Sequence, residues 1–358
     1  MKKPLLEGSS RPVAIWLLAG VGMIIIQVLL GGITRLTGSG LSITEWKPIM
    51  GAMPPMNDQD WNTAFEKYKQ IAQFKYLNAH FTLGDFKFIF FWEWFHRLWA
   101  RLIGVAFIIP FIIFLFQKRI KKEMIKPMII LFLLGALQGL VGWIMVESGL
   151  EDTDRLFVSH YKLAIHFILA LSVLCYALWF AFDLMVPEEQ ITISRPVRNF
   201  TRWLIILLTV QLIYGAFMAG LKAATAAPTW PTINGAWIPG NIHSFGSREF
   251  PGLSFLTEHP LVIHFIHRNL AYLLSFLVFI WWWKANRTAG TRLFQKTRIL
   301  PLLIVLLQVV LGILAVLNAT NQYLFLWLGV AHQFVAMFLL LSLVWIVYIV
   351  RGRNTFAS

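Results

Sequence analysis

Charge is scarce in this chain. Of 358 residues only 13 % are Asp, Glu, Lys or Arg, about half the share found in an ordinary soluble domain. With 58 % hydrophobic residues and a mean hydropathy of +0.67, a soluble globular enzyme and a disordered chain are both excluded. Cysteine is nearly absent. The one present, Cys175, sits inside an apolar run, so no disulfide framework is available. Alternating apolar and polar residues are missing too, which excludes a membrane β-barrel. Acidic residues are the scarcer sign: 17 against 31 basic ones, for a net charge of +14.

What the chain has instead is continuous apolar runs about twenty residues long, the length that crosses hydrocarbon as a helix. Eight spans are expected, at 13–33, 88–116, 125–146, 159–185, 200–221, 260–283, 299–318 and 324–350. The first is not expected to be cleaved, because Gly31-Gly32-Ile33-Thr34-Arg35 follows it without a small-residue cleavage site. No Arg- and Ser-rich transit segment precedes it, which points to a bacterial plasma membrane. The N-terminus, the connections 117–124, 186–199 and 284–298 and the C-terminal tail carry more than half of the 31 basic residues. By the positive-inside rule that side is cytoplasmic, with both termini inside. The opposite side holds long loops at 34–87 and 222–259, whose length suggests covering structure. The positive charge is therefore topological, and nucleic acid is not an expected partner.

The spans repeat. Gln-x-x-x-Gly occurs once in each odd span, at Gln27/Gly31, Gln138/Gly142, Gln211/Gly215 and Gln308/Gly312. In the even spans His96-Arg97 matches His267-Arg268, and His166 matches His332. Outer-loop Trp-Pro segments recur as well. The expected architecture is all-α: eight transmembrane helices as two tandem four-helix bundles, 1–188 and 189–358. Four spans per half give both halves the same orientation, related by a pseudo-two-fold axis along the membrane normal. The Gln-x-x-x-Gly motif reads either as helix packing through a small residue and an interhelical amide or as the lining of a cofactor pocket.

The four recurring histidines fall at similar depth, roughly 10–14 Å from the outer end of each span at 1.5 Å per residue. Two histidines at equal depth on two helices can face each other across a bundle core. Such a gap suits a haem with an axial imidazole on each face, so His96 and His166 would form one iron site and His267 and His332 another. Zinc lacks further ligands in either half. His264 precedes His267 by one turn and is the rival ligand in that helix. His160 and His259 stand at helix entrances, where interfacial positions are expected. Glu93 is a carboxylate placed inside a span, and such a residue is a functional candidate by default. It shares a face with His96 and Arg97, so it reads as an ion pair with Arg97 or as a carboxylate aimed at a group held by His96. Its repeat position holds His264, so the halves are chemically unequal. Arg97, Arg101 and Arg268 suit haem propionates, ion pairs or snorkelling equally.

Several runs resemble the haem A synthase family. They are Gly31-Gly32-Ile33-Thr34-Arg35-Leu36-Thr37, Gly40-Leu41-Ser42, Glu45-Trp46-Lys47-Pro48 through Pro54-Pro55, Glu93-Trp94-Phe95-His96-Arg97, Gly215 to Leu221, and Ala331-His332-Gln333. The resemblance covers nearly the whole chain. It is closest to the proteobacterial and mitochondrial branch, which lacks paired loop cysteines. It implies oxidation of the C8 methyl of haem O to the formyl of haem A by two successive hydroxylations, for cytochrome oxidase biogenesis. It further implies Glu93 as the catalytic carboxylate and His96 and His166 flanking substrate haem O. His267 and His332 would ligate a resident haem B. Implied partners are haem O, an electron acceptor, a haem O synthase, cytochrome oxidase assembly factors and a second copy of the chain. Both haem sites would lie toward the outer face. The residues also permit a dihaem b-type protein that oxidises a quinol without modifying haem. A haem or small-molecule carrier fits the span count but leaves four deep histidines without a reason.

Overall fold

The computed structural model describes residues 11–46, 50–150 and 156–351. Lys47 and Pro48 of the first-loop signature lie outside the described residues. The helices are α1 (Arg11–Leu36), α2 (Asp58–Lys69), α3 (Leu83–Phe116), α4 (Lys122–Glu147), α5 (His160–Met185), α6 (Arg195–Gly220), α7 (Ala223–Ala226), α8 (Phe255–Glu258), α9 (Pro260–Asn286), α10 (Arg292–Thr297), α11 (Leu300–Leu317) and α12 (Gln322–Ile349). Two-residue strands form one parallel pair, β1 (Thr192–Ile193) with β4 (Val350–Arg351), and one antiparallel pair, β2 (Ser244–Phe245) with β3 (Arg248–Glu249).

Among the described residues eight helical segments are long and apolar enough to cross a membrane: α1, α3, α4, α5, α6, α9, α10 with α11, and α12. The chain is an all-α integral membrane protein, and the eight observed segments overlay the eight expected ones. Exposed apolar side chains such as Leu102, Ile109, Leu133, Ile165, Leu306 and Val310 explain why water cannot be the solvent around them.

Helix ends follow local chemistry. Thr82 and Asp85 form a capping box on α3: the Thr82 side chain accepts from Asp85 N, and the Asp85 carboxylate accepts from Thr82 N at 2.9 Å. This cap starts α3 more than a turn before the expected 88. α9 begins with Pro260 in its first turn, behind His259. The His259 Nδ1 accepts from Leu261 N and Val262 N, and its Nε2 lies 3.2 Å from Ser244 O. His259 is fully buried and caps α9.

The chain divides into two compact units. One comprises Leu18–Leu174; the other takes the residues up to Leu17 and those from Cys175 onward. In the second unit α6, α9, α11 and α12 pack in a closed ring, α6 against α9, α9 against α11, α11 against α12 and α12 against α6. The buried Trp281 of α9 donates its indole N–H to Thr201 Oγ1 at 2.8 Å, tying α9 to α6.

In the first unit the loop 34–87 carries its own small core. Helix α2 is amphipathic and buries Phe65 and Tyr68 against Phe86, Ile89 and Phe90 of α3. Each such side chain contributes about 1.5–3 kcal/mol on burial. The Tyr68 hydroxyl donates to Gln73 Oε1 at 2.9 Å and accepts from Asn78 Nδ2 at 2.7 Å. Burial pushes its phenol up to about 12. Gln73 in turn donates to Gly38 O at 3.3 Å, fastening the cap to the end of α1.

Candidate functional site

Each recurring histidine rests in a seat built by the Gln-x-x-x-Gly motif of the preceding odd span. The His96 ring of α3 lies against Gly31 of α1, where a Cβ would stand 3.3 Å from Nε2. The His166 ring of α5 lies against Gly142 of α4, where a Cβ would come within 2.7 Å of Cε1. In the second unit His267 of α9 meets Gly215 of α6 at 3.2 Å by the same measure, and His332 of α12 meets Gly312 of α11 at 2.9 Å. The small residue admits an imidazole edge. The packing reading expected helix backbones to approach at each glycine; the nearest neighbour there is an imidazole ring.

Three of the glutamines one turn earlier lie beside the same rings. Gln138 Nε2 is 3.1 Å from His166 Nδ1 and donates to His166 O at 3.1 Å. Gln211 Nε2 is 3.5 Å from His267 Nε2 and donates to His267 O at 3.0 Å. Gln308 Nε2 is 3.2 Å from His332 Nε2.

The rings of His267 and His332 face each other with centroids 6.4 Å apart and planes inclined at 73°. A metal–imidazole nitrogen bond of about 2 Å on each side of one ion sets two opposed ring centroids roughly 6 Å apart. The Nδ1 atoms of both rings are buried without a partner. The spacing, the orphaned nitrogens and the neutral donor set fit a bis-imidazole haem iron. His267, and not His264, is the α9 histidine whose ring faces His332. His264 instead places Nε2 3.0 Å from Arg268 Nη2. His96 and His166 are close enough to interact electrostatically.

Glu93 sits one turn before His96, 2 % exposed, in a cage of donors. Its Oε2 accepts from Ser42 Oγ at 2.7 Å and from Ile43 N at 2.8 Å; its Oε1 accepts from Arg97 Nη2 at 2.5 Å. The ion pair that the sequence allowed is present, and it supplies the counter-charge a buried carboxylate needs. Ser42 and the Ile43 amide were not foreseen. Their signal was the Gly40-Leu41-Ser42 run, read as family signature and not as a carboxylate cage.

The two His-Arg pairs do matching work on the loops 34–87 and 222–259. Arg97 donates to Ile43 O at 3.0 Å and Glu45 O at 3.3 Å. Arg268 donates to Thr229 O at 2.9 Å and Pro231 O at 2.5 Å. In both halves the guanidinium clamps carbonyls two residues apart on the loop above it. Trp46 stacks on Trp143 with centroids 5.4 Å apart, and the Arg97 guanidinium lies over the Trp143 ring at 5.8 Å. This stack beside Arg97 was also unforeseen, because residues 97 apart in sequence carry no local pattern.

The fold and these seats define a class: a multi-span helical membrane protein with paired intramembrane histidines and one caged carboxylate. Comparison with known proteins is more particular. Residues 14–344 match the sequence model of COX15-CtaA, described as cytochrome oxidase assembly protein, and the chain belongs to that family. A relative in Flavobacterium psychrophilum named Heme A synthase is 40 % identical over 336 residues, 93 % of this chain and 96 % of its own. Another of that name in Rhodospirillum centenum is 40 % identical over 350 residues, covering 97 % and 90 %. A third, in Flavobacterium johnsoniae, is 38 % identical over 339 residues, covering 94 % and 96 %.

Proposed function

We propose that this protein is an oxidoreductase that converts haem O to haem A by oxidising the C8 methyl to a formyl group. The observation that carries the reading is the inequality of two otherwise matching sites. Both have a His-Arg pair, a second histidine and glycine seats. One has the caged carboxylate Glu93 one turn before its first histidine; the other has His264 there. Full family coverage and relatives named for this activity support it.

In this reading the N-terminal half, 1–188, binds haem O between His96 and His166. The C-terminal half, 189–358, holds haem B between His267 and His332. When bound, haem B supplies one-electron transfer. The chain's own residues do the rest. Glu93 would accept a proton released at the methyl carbon, whose electrons pass to a separate electron acceptor. Ser42, the Ile43 amide and Arg97 hold that carboxylate in place. A guanidinium carries five donors, so Arg97 and Arg268 have N–H groups left for haem propionates while clamping the loops. None of the most apolar stretch of α3 is buried within the protein, which suits an amphipathic, lipid-borne substrate. Orientation follows the basic residues: both termini cytoplasmic, haem sites toward the outer face.

The test is chromatography of haems extracted from cells making this protein with a haem O synthase, against cells with the synthase alone. Haem A is expected only when both are present. Unchanged haem O beside purified protein that carries haem B would overturn the reading in favour of electron transfer. Glu93→Ala is expected to keep haem B and abolish haem A. Full haem A formation by that variant would remove Glu93 from the mechanism.

A further inference from the structure

The glutamines of the four seats share an unusual feature. The amide oxygens of Gln27, Gln138, Gln211 and Gln308 are all buried, and none accepts a hydrogen bond among the described residues. A buried acceptor without a donor forfeits the hydrogen bonds it would make to water. The same omission at four repeat-related positions has a common cause.

Neutral imidazole has one bare nitrogen and one N–H. An imidazole that binds a metal spends its bare nitrogen on the ion, so the proton must sit on the other. That N–H then needs an acceptor. Among the described residues the unused acceptor in each seat is the glutamine oxygen, whose amide nitrogen already lies 3.1–3.5 Å from a ring nitrogen of His166, His267 or His332. The terminal torsion of glutamine is soft and two-fold, so the amide can present its oxygen to the ring. The backbone carbonyls it releases, His166 O and His267 O, lie within helices and keep their own i+4 N–H partners.

We propose that these glutamines are positioning residues for haem ligation, resting on the reading of the four histidines as iron ligands. With haem bound, each amide oxygen accepts the N–H of its histidine. This fixes the tautomer and the ring plane, and it strengthens the imidazole as a donor to iron. Gln27 takes the same role toward His96 by its place in the repeat.

The test uses intact detergent-purified protein with its bound haem, comparing Gln211→Leu and Gln211→Glu with the parent. Haem per chain, midpoint potential and the low-spin ferric spectrum are measured. Leucine removes the acceptor and is expected to raise the potential of the C-terminal haem. Glutamate is a stronger acceptor and is expected to lower it. Loss of haem from the leucine variant with retention in the glutamate variant agrees with the same role. Parental potentials in both variants, shifts in the same direction, or equal haem loss from both would overturn it. His267→Ala separates the underlying reading: a bis-imidazole spectrum that survives this change refutes His267 as ligand, whatever Gln211 does.

Discussion

A carboxylate inside a membrane span survives only where its charge is answered, and Glu93 is answered by a hydroxyl, an amide and a guanidinium. Hydrogen bonds to charged groups contribute about 1.5–3 kcal/mol each. Ser42→Ala is therefore expected to lower haem A formation by roughly tenfold or more, with haem content unchanged; the haem A to haem O ratio at equal protein level checks it. The glycine seats give a ranking. Alanine at Gly142 or Gly312 would place Cβ 2.7 or 2.9 Å from a ring carbon, while Gly31 and Gly215 leave 3.3 and 3.2 Å. Overpacking of this kind costs about 1–3 kcal/mol. Gly142→Ala and Gly312→Ala should lose more haem per chain than Gly31→Ala and Gly215→Ala. Gly20→Ala, with open space around it, should lose none.

Individual elements show where local sequence decides and where it does not. The spans are legible because an apolar run of sufficient length has one outcome in hydrocarbon, and the caps at Thr82 and Asn321 place helix starts. The amphipathic α2 was not picked out of the loop 34–87, since twelve residues of modest periodicity become a stable helix only when Phe65 and Tyr68 find Phe86 and Phe90. Removing such an aromatic costs about 3–5 kcal/mol. Phe65→Ala should release α2, measured as faster proteolysis within 58–78 while the spans stay protected. The loop clamps make a parallel case: the sequence leaves Arg97 and Arg268 open between haem propionates, ion pairs and snorkelling, and their carbonyl partners belong to loops that no sequence pattern addresses.

At the scale of the whole molecule the spans present apolar side chains outward. The proposed orientation is open to direct test because the chain has a single cysteine, the half-buried Cys175. In a Cys175→Ser background, Asn62→Cys on α2 should react with a membrane-impermeant maleimide added to spheroplasts. Asn286→Cys, at the end of α9, should react only after the membrane is opened. The reverse pattern would invert the topology.

Span number, the repeat, the four histidines and the chemical inequality at Glu93 and His264 are properties of composition and spacing, and the sequence by itself determined them. Hydropathy acts locally, and a repeat needs no contacts to be read. The tertiary structure decided which atoms meet. It set His267 and not His264 opposite His332, it turned Gln-x-x-x-Gly from a packing motif into an imidazole seat, and it brought Ser42 and Ile43 onto Glu93. Those partners come from different helices and loops, and their distances depend on how helices pack and on how a loop is clamped. Neither is encoded in any single stretch of residues.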